Sequence, residues 1–334
     1  MSRTFLVTGG AGFIGSHLTE ELLGRGEAVV VLDDLSTGSL ANLAAVIEHP
    51  QLEVVVGSIL DPALVDSTVA RVDTIVHLAA AVGVKLIVER PLESFLTNIR
   101  GTENVLAAAH RWSRPVLLAS TSEIYGKNNG DGLLETSDRI LGATSVARWS
   151  YSTSKAADEV LALAYHKEHG LPTVIARFFN TVGPRQTGSY GMVLPTFVGQ
   201  ALRGEPLTVH GDGSQRRCFC HVVDVVDAVL RLVDTPAAVG EVFNIGRAEE
   251  IAIGALATKV IERSGSSSPV HLVPYEVAYE ADFEDIDRRV PITAKLTELT
   301  GWQSTQSLDE ILDDTIAHMR TELLAGPVTE GAVA

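Results

Sequence analysis

The segment that most restricts how this chain can fold is its first 34 residues. Thr4-Phe5-Leu6-Val7-Thr8 is a short apolar run that reads as a buried strand. Gly9-Gly10-Ala11-Gly12-Phe13-Ile14-Gly15 follows, then a helical stretch over 16–25, a second strand over 28–32, and the acids Asp33-Asp34. Glycines placed three apart between a strand and a helix permit a tight turn. They also let backbone N–H groups approach a pyrophosphate beside the helix N-terminus. Asp33 lies 18 residues past Gly15, placed to bind the hydroxyls of an adenosine ribose and to repel a 2′-phosphate. A tight packing turn is the other meaning of such glycines. The strand–helix–strand–acid context decides for dinucleotide binding, with NAD favoured over NADP.

The remaining chain repeats the alternation. Strands are predicted over 52–56, 74–78, 116–119, 174–178 and 242–245, and helices over 63–71, 91–110, 151–169 and 221–233. This implies an α/β fold, a Rossmann-type doubly wound parallel sheet with ligands at the carboxyl ends of its strands. Past Asn180 the texture loosens, with Gly183-Pro184-Arg185-Gln186 as a loop. A helix over 192–202, a strand over 207–209 and helices over 255–263, 293–300 and 308–321 come next; 324–334 reads as a frayed tail. Residues 1–181 with 216–247 are assigned to an NAD-binding domain, and 182–215 with 248–334 to a smaller α/β domain.

Composition narrows the partners. Lys and Arg number 26 against 42 Asp and Glu, a net charge of −16, which argues against nucleic acid as a general partner. An anionic ligand then needs a local basic pocket. The two cysteines, Cys218 and Cys220, are one residue apart and strained against bridging each other, so they read as free thiols in a reducing compartment. The N-terminus has no signal-peptide layout, and no apolar stretch reaches the ~20 residues that span a bilayer. The expectation is a cytoplasmic protein with no membrane contact. The ten histidines show no metal-ligand spacing; His77 reads as a core or supporting group.

Chemistry concentrates in Arg148-Trp149-Ser150-Tyr151-Ser152-Thr153-Ser154-Lys155. Tyr151 and Lys155 fall on one helix face, one turn apart. A phenol has a pKa near ~10, and lowering it by ~3 units takes about 4 kcal/mol. A cation ~5 Å away at an effective dielectric of ~20 supplies roughly 3 kcal/mol. Lys155 and a positively charged nicotinamide together would make Tyr151 a base near neutral pH. Alone, this pair ordinarily means a half-buried Tyr beside a solvated Lys.

Together these residues resemble the extended short-chain dehydrogenase/reductases that act on nucleotide sugars, over nearly the whole chain. The markers are Gly9-x-x-Gly12-x-x-Gly15, Asp33, Tyr151-x-x-x-Lys155, Phe179-Asn180-Thr181-Val182-Gly183-Pro184-Arg185, and the stretch from Gly211 to Phe219. Within that family, Thr121-Ser122-Glu123 is similar to UDP-glucuronate decarboxylases. Ser122 stands where 4,6-dehydratases carry an acidic Asp, which argues against dehydration. Phe283-Glu284-Asp285-Ile286-Asp287-Arg288-Arg289-Val290-Pro291 resembles a segment of bacterial members in which the Arg matching Arg289 engages the sugar carboxylate. Arg289 paired with Asp285 or Asp287 is the structural alternative, and Glu123 as a solvated loop residue is the alternative to a catalytic one. Two departures stand out. Gly57-Ser58 replaces the family's usual Gly-Asp, and Gly83-Val84-Lys85 differs from typical xylose-forming enzymes.

The resemblance implies a tightly held NAD bound by Gly9, Gly12, Phe13, Ile14, Gly15, Asp33, Ser36, Gly38, Leu78, Ala79, Ala80, Asn98, Tyr151 and Lys155. The smaller domain would take the UDP-sugar. The implied reaction is oxidation at C4 of UDP-glucuronate, loss of CO2, and formation of UDP-4-keto-xylose and/or UDP-xylose. Tyr151 takes the hydroxyl proton with Lys155 and Thr121 in support, Arg289 grips the carboxylate, and Glu123 is the acid/base near C5. Ser122, Asn180, Val193, Arg185 and Arg217 would contact substrate, the two arginines at the pyrophosphate unless they form surface salt bridges. Lys85 either pairs with a carboxylate or faces solvent. A homodimer through two long helices of each subunit is also implied. The enzymatic alternative is a UDP-glucose or UDP-glucuronate 4-epimerase; the alternative of another class is a catalytically silent NAD sensor, against which the intact Thr121, Tyr151 and Lys155 argue.

Overall fold

The computed structural model describes residues 2–83, 89–188, 192–274, 286 and 288–325. Along the chain, β1 (Thr4–Thr8), α1 (Phe13–Gly24), β2 (Ala28–Asp33), β3 (Leu52–Val56), α2 (Pro62–Val69), β4 (Thr74–His77), α3 (Pro91–Trp112), β5 (Val116–Thr121), α4 (Trp149–His169) and β6 (Thr173–Phe178) come first. They are followed by β7 (Thr181–Val182), α5 (Val193–Arg203), β8 (Leu207–His210), β9 (Arg216–Cys218), β10 (Cys220–His221), α6 (Val222–Val233) and β11 (Val242–Ile245). β12 (Glu250–Ala252), α7 (Ile253–Ser264), β13 (Val270–Val273), α8 (Ala294–Thr300) and α9 (Leu308–Ala325) complete the order.

Strands of continuous apolar residues need both faces covered. Seven strands form one sheet here, in the order β11-β6-β5-β4-β1-β2-β3, every neighbour parallel and only the edge strand β3 left partly open. Phe5, Val7, Val29, Val31 and Val76 point to one face, against Leu18 and Leu22 of α1 and Val225 and Val229 of α6. Leu6, Val30, Leu32, Ile75 and Leu118 point to the other, against Val65 of α2, Val105 and Leu106 of α3 and Ala162 of α4. Strand order reverses between β1 and β4, which opens a crevice at their carboxyl ends.

A second core gathers Leu194, Phe197 and Val198 of α5, Leu207 and Val209 of β8, Leu256 and Val260 of α7, and Ile311, Leu312 and Ile316 of α9. Leu296 and Trp302, from the C-terminal stretch, pack instead into the first core beside α6. Short pairs join the parts: β7 with β10 and β8 with β13 in parallel, β9 with β12 antiparallel.

Helix and strand positions agree with the sequence reading to within a few residues, apart from the shortest elements. β7, β9, β10, β12 and β13 span two to four residues each, too short for a periodic signal. α9 runs to Ala325, beyond the predicted end at 321 and into the expected tail. Cys218 and Cys220 are free and buried. Among the described residues no helix is long and apolar enough to cross a membrane.

Candidate active site

The glycine turn lies where β1 meets the crevice. Gly9 has a φ of +71°, and a Cβ on it would sit 2.9 Å from the Ala79 nitrogen. A Cβ on Gly15 would lie 2.1 Å from the Gly9 carbonyl oxygen, so side chains at either position would force the turn open. α1 begins at Phe13 and Ile14 with Gly12 as its N-cap, without a side-chain cap or an acidic residue in its first turn. Its positive end therefore has no internal anion. Asp33, at the tip of β2, accepts Ala11 N–H through Oδ2 and Leu35 N–H through Oδ1, each at 2.9 Å. Burial lifts its carboxyl above the usual value, partly offset by those two donors. Gly38 backs against Asp33 Oδ1, and Ser36 is tied to Asp34. Cradle, helix end and acid together fit a dinucleotide.

The opposite wall is the end of β4. Leu78 packs on the first core, Ala79 N–H donates to Thr8 Oγ1 at 3.2 Å, and Ala80 follows on the path. Ala81 is hydrogen-bonded in both directions to the Asn98 amide, which also donates to Ser154 Oγ at 3.2 Å. Asn98 thus ties α3, α4 and this wall together. Beneath lies His77, its ring nitrogens 2.7 Å from Thr8 Oγ1 and 3.2 Å from Thr102 Oγ1. Burial, aided by the Lys155 charge, lowers its pKa to about 3. It is the core group that the sequence suggests.

Tyr151 and Lys155 stand on α4 one turn apart. Tyr151 is hydrogen-bonded to Thr121. Lys155 Nζ lies 2.9 Å from Asp158 Oδ2, both side chains buried. This pairing alters the electrostatics expected from sequence. Burial first, then the Glu123 and Asp158 charges, push the Tyr151 hydroxyl up from its ordinary value. The stabilising charge that Lys155 brings is matched by the carboxylate it is paired with. The protein's own groups therefore leave Tyr151 a phenol.

A second charged cluster forms beside Thr121. That residue ends β5, and its hydroxyl accepts Glu123 N–H at 3.1 Å, capping the tight turn Ser122–Tyr125. Arg289 arrives from 166 positions away, with Nη1 at 2.7 Å from Glu123 Oε1 and 3.3 Å from Ser122 Oγ. Its Nη2 reaches Asn180 Oδ1 at 3.5 Å. Arg148, immediately before α4, reaches both Glu123 oxygens, Nη2 to Oε1 at 3.0 Å and Nη1 to Oε2. Burial alone would raise the Glu123 carboxyl, yet the two guanidiniums outweigh it and hold it well below the usual carboxylate range. Glu123 is neither solvated nor an obvious proton donor, which revises the acid half of the role expected from sequence. Arg148 is the member that sequence reasoning did not assign. Its place three residues before Tyr151 was the available signal, because that spacing returns to the same helix face.

The cluster rests on a buried scaffold. Arg177 of β6 is bidentate to Glu159 of α4 at 2.9 and 2.7 Å, and it donates to Tyr125 Oη at 2.8 Å. Tyr125 donates in turn to Asn244 at 2.7 Å. The turn that carries Glu123 is thereby pinned to β6, β11 and α4.

Other predicted residues are less convergent. Asn180, with φ +25°, donates to the Cys218 carbonyl at 2.8 Å. Arg185 Nη2 is taken by Glu20 of α1 at 2.7 and 2.9 Å, and its Nη1 by Ser16 at 3.2 Å, so a phosphate contact would require it to leave that pair. Arg217 is half-buried on β9, and Val193 opens α5. Lys85, Asp285 and Asp287 lie outside the described residues.

Residues 5–246 match the NAD dependent epimerase/dehydratase family. The chain is 40% identical to the UDP-N-acetyl-alpha-D-glucosaminuronate decarboxylase of Bacillus cytotoxicus, over 96% of this chain and 98% of that protein. It is 35% identical to UDP-glucuronic acid decarboxylase 1 of Arabidopsis thaliana, over 96% of this chain and 70% of the other. Among solved structures, the UDP-glucose 4-epimerase of Thermotoga maritima with UDP-glucose superposes with a TM-score of 0.87 at 29% identity, over 96% of this chain and 99% of that one.

Proposed function

The chain belongs to the NAD-dependent epimerase/dehydratase family, with NAD as its cofactor, and from that premise we propose that it removes the carboxyl group of UDP-glucuronic acid as CO2. The observation that carries this is Arg289, a buried guanidinium 2.7 Å from Glu123, beside the Thr121–Tyr151 pair. Glu123, Arg148 and Arg289 sum to one positive charge. A substrate carboxylate brings that sum to zero, whereas a neutral hexose leaves it uncompensated in a buried site. The names of the Bacillus and Arabidopsis relatives support the same reaction.

NAD, held by Gly9, Gly12, Phe13, Ile14, Gly15, Asp33 and the Ala79–Ala80 wall, supplies the oxidising power for C4. Tyr151 is a phenol in the protein alone. Beside the positive charge of bound NAD it would ionise, and its Oη would then take the proton of the C4 hydroxyl while Thr121 Oγ1 holds the same oxygen. Lys155 supports Tyr151 to the extent that it leaves Asp158. The resulting ketone is β to the carboxylate, so the electrons of the C5–C6 bond can flow into the carbonyl as CO2 departs. Arg289 orients the carboxylate for that step. Glu123 enters as an anion that prepositions Arg289. Asn180, Ser122, Val193 and Arg217 border the sugar nucleotide. Residues 1–181 with 216–247 form the NAD-binding domain, which also lends Thr121, Ser122, Glu123, Asn180 and Arg217 to the sugar, and 182–215 with 248–334 form the UDP-sugar domain.

A homodimer built on α3 and α4 belongs to the same proposal. A groove of about 640 Å³ along these helices is lined by Ile99, Ala156, Val160 and Leu161, and Val160 is 67% exposed. Buried free thiols at Cys218 and Cys220 support a reducing compartment such as the cytoplasm.

The experiment is incubation with UDP-glucuronate, with CO2 and the sugar product both measured. CO2 with a pentose nucleotide is the expected result; a C4-inverted uronate without CO2 would overturn it in favour of an epimerase. The 40% identity with the Bacillus enzyme makes the 2-acetamido uronate the second substrate to assay.

A further inference from the structure

Two guanidiniums share Glu123, and they hold it differently. Arg148 engages both carboxylate oxygens. It is fixed by the start of α4, three residues before Tyr151, and its guanidinium lies 5.9 Å from the Trp149 ring. Arg289 touches one oxygen through one nitrogen, and its other reaches are longer, at 3.3 Å to Ser122 and 3.5 Å to Asn180. Arg148 thus spans both oxygens of Glu123, whereas Arg289 holds one of them.

We propose that Arg148 is a positioning residue that clamps Glu123 in place, so that Arg289 alone can exchange Glu123 for the substrate's carboxylate. This deepens the decarboxylase reading and rests on it. Without Arg148, Glu123 would depend on Arg289 for its only counter-charge. Handing Arg289 to substrate would then strand a buried carboxylate, which costs far more than breaking one contact of three. With Arg148 in place, the exchange leaves Glu123 paired. After CO2 departs, Arg289 returns to Glu123, and the product, lacking a carboxylate, has no hold on it.

Among the described residues, the titratable and charged groups that act on Glu123 are Arg148 at the N-cap of α4, Tyr151 in its first turn and Arg289 from the opposite side. Removing Arg148 leaves burial, which raises the carboxyl, opposed by one guanidinium instead of two. Glu123 then becomes able to titrate within the working pH range.

The test compares wild type with Arg148→Met and Arg148→Lys, by CO2 release across pH and by calorimetric binding of UDP-glucuronate and UDP-glucose. For Arg148→Met, KM for UDP-glucuronate should rise about 30-fold or more, the lower end for removing one partner of a buried charge pair. A new acid limb should appear near or above the ordinary Glu value of ~4.3. UDP-glucose binding should be unchanged, and Arg148→Lys should restore part of the loss. If Arg148→Met does not fold, an intermediate KM in Arg148→Lys carries the same prediction. An unchanged KM with a flat acid side, or equal losses for both nucleotides, would overturn the clamp. Absence of CO2 from the wild type would instead overturn the decarboxylase reading itself, so the two failures are distinguishable.

Discussion

The cofactor half of the site and the carboxylate half are built by opposite means. Around the glycine turn the contacts are mostly backbone and neutral side chains, joined by the carboxyl of Asp33: bare N–H groups at the start of α1, the Gly9–Ala79 approach, and an uncharged His77. Around Glu123 three full charges are gathered away from water, on Glu123, Arg148 and Arg289. The first arrangement suits a large ligand common to a whole family, recognised by shape and backbone. The second suits one chemical feature of one substrate, and its strength depends on balanced charge. Tyr151 stands between them, bonded to Thr121, its hydroxyl pKa raised by burial and then by the Glu123 charge.

The largest effect expected at that junction follows from Tyr151→Phe. Turnover should drop by about 10²–10⁴-fold, the usual worth of a general base, while the cofactor content of the purified protein stays constant. Loss of cofactor with turnover would show that the halves are not separable. The scaffold under the carboxylate half comes next. Arg177→Met strands Glu159 in the interior and should cost about 3–5 kcal/mol in denaturant unfolding. A change within about 0.5 kcal/mol, the range of ordinary surface substitutions, would show that the turn carrying Glu123 is not pinned there.

Gly15→Ala probes the other half. With a Cβ 2.1 Å from the Gly9 oxygen, about 1–3 kcal/mol of stability should go. Bound NAD should fall in parallel, as read from the absorbance ratio of the purified protein. Acid should separate the halves more gently. Below about pH 6.5 an unfolded chain protonates His77, whereas the folded protein refuses that proton until pH about 3. Stability therefore falls as pH drops through this window, by about 2 kcal/mol at pH ~5, and His77→Gln should flatten that slope. Glu123, held well below the carboxylate range, stays charged throughout, so hydrogen exchange should rise around β4 before it rises at the Ser122–Tyr125 turn.

The same contrast explains what was legible in the sequence. The cofactor half is nearly contiguous, with strand, glycines, helix and Asp33 all inside the first 34 residues. Backbone requirements there leave their mark as glycine. The carboxylate half joins Thr121 to Glu123, Arg148 and Arg289, three segments that only the fold brings together. Resemblance points to Glu123 and Arg289; for Arg148 the spacing to Tyr151 gives a shared helix face but not the carboxylate it pairs with. The Lys155–Asp158 pair was missed for a related reason. Spacing places Lys155 on the Tyr151 face without saying which carboxylate shares its burial. Arg185 shows the reverse case, a basic residue in a family motif that the fold commits to Glu20.

If oxidation at C4 and loss of C6 are served by different halves, Arg289→Met should separate them in a single turnover with UDP-glucuronate labelled with carbon-13 at C6, followed by cofactor reduction and by labelled CO2. The account predicts that reduction of the cofactor persists while labelled CO2 falls by at least about 30-fold. Labelled CO2 released at the wild-type rate would contradict it.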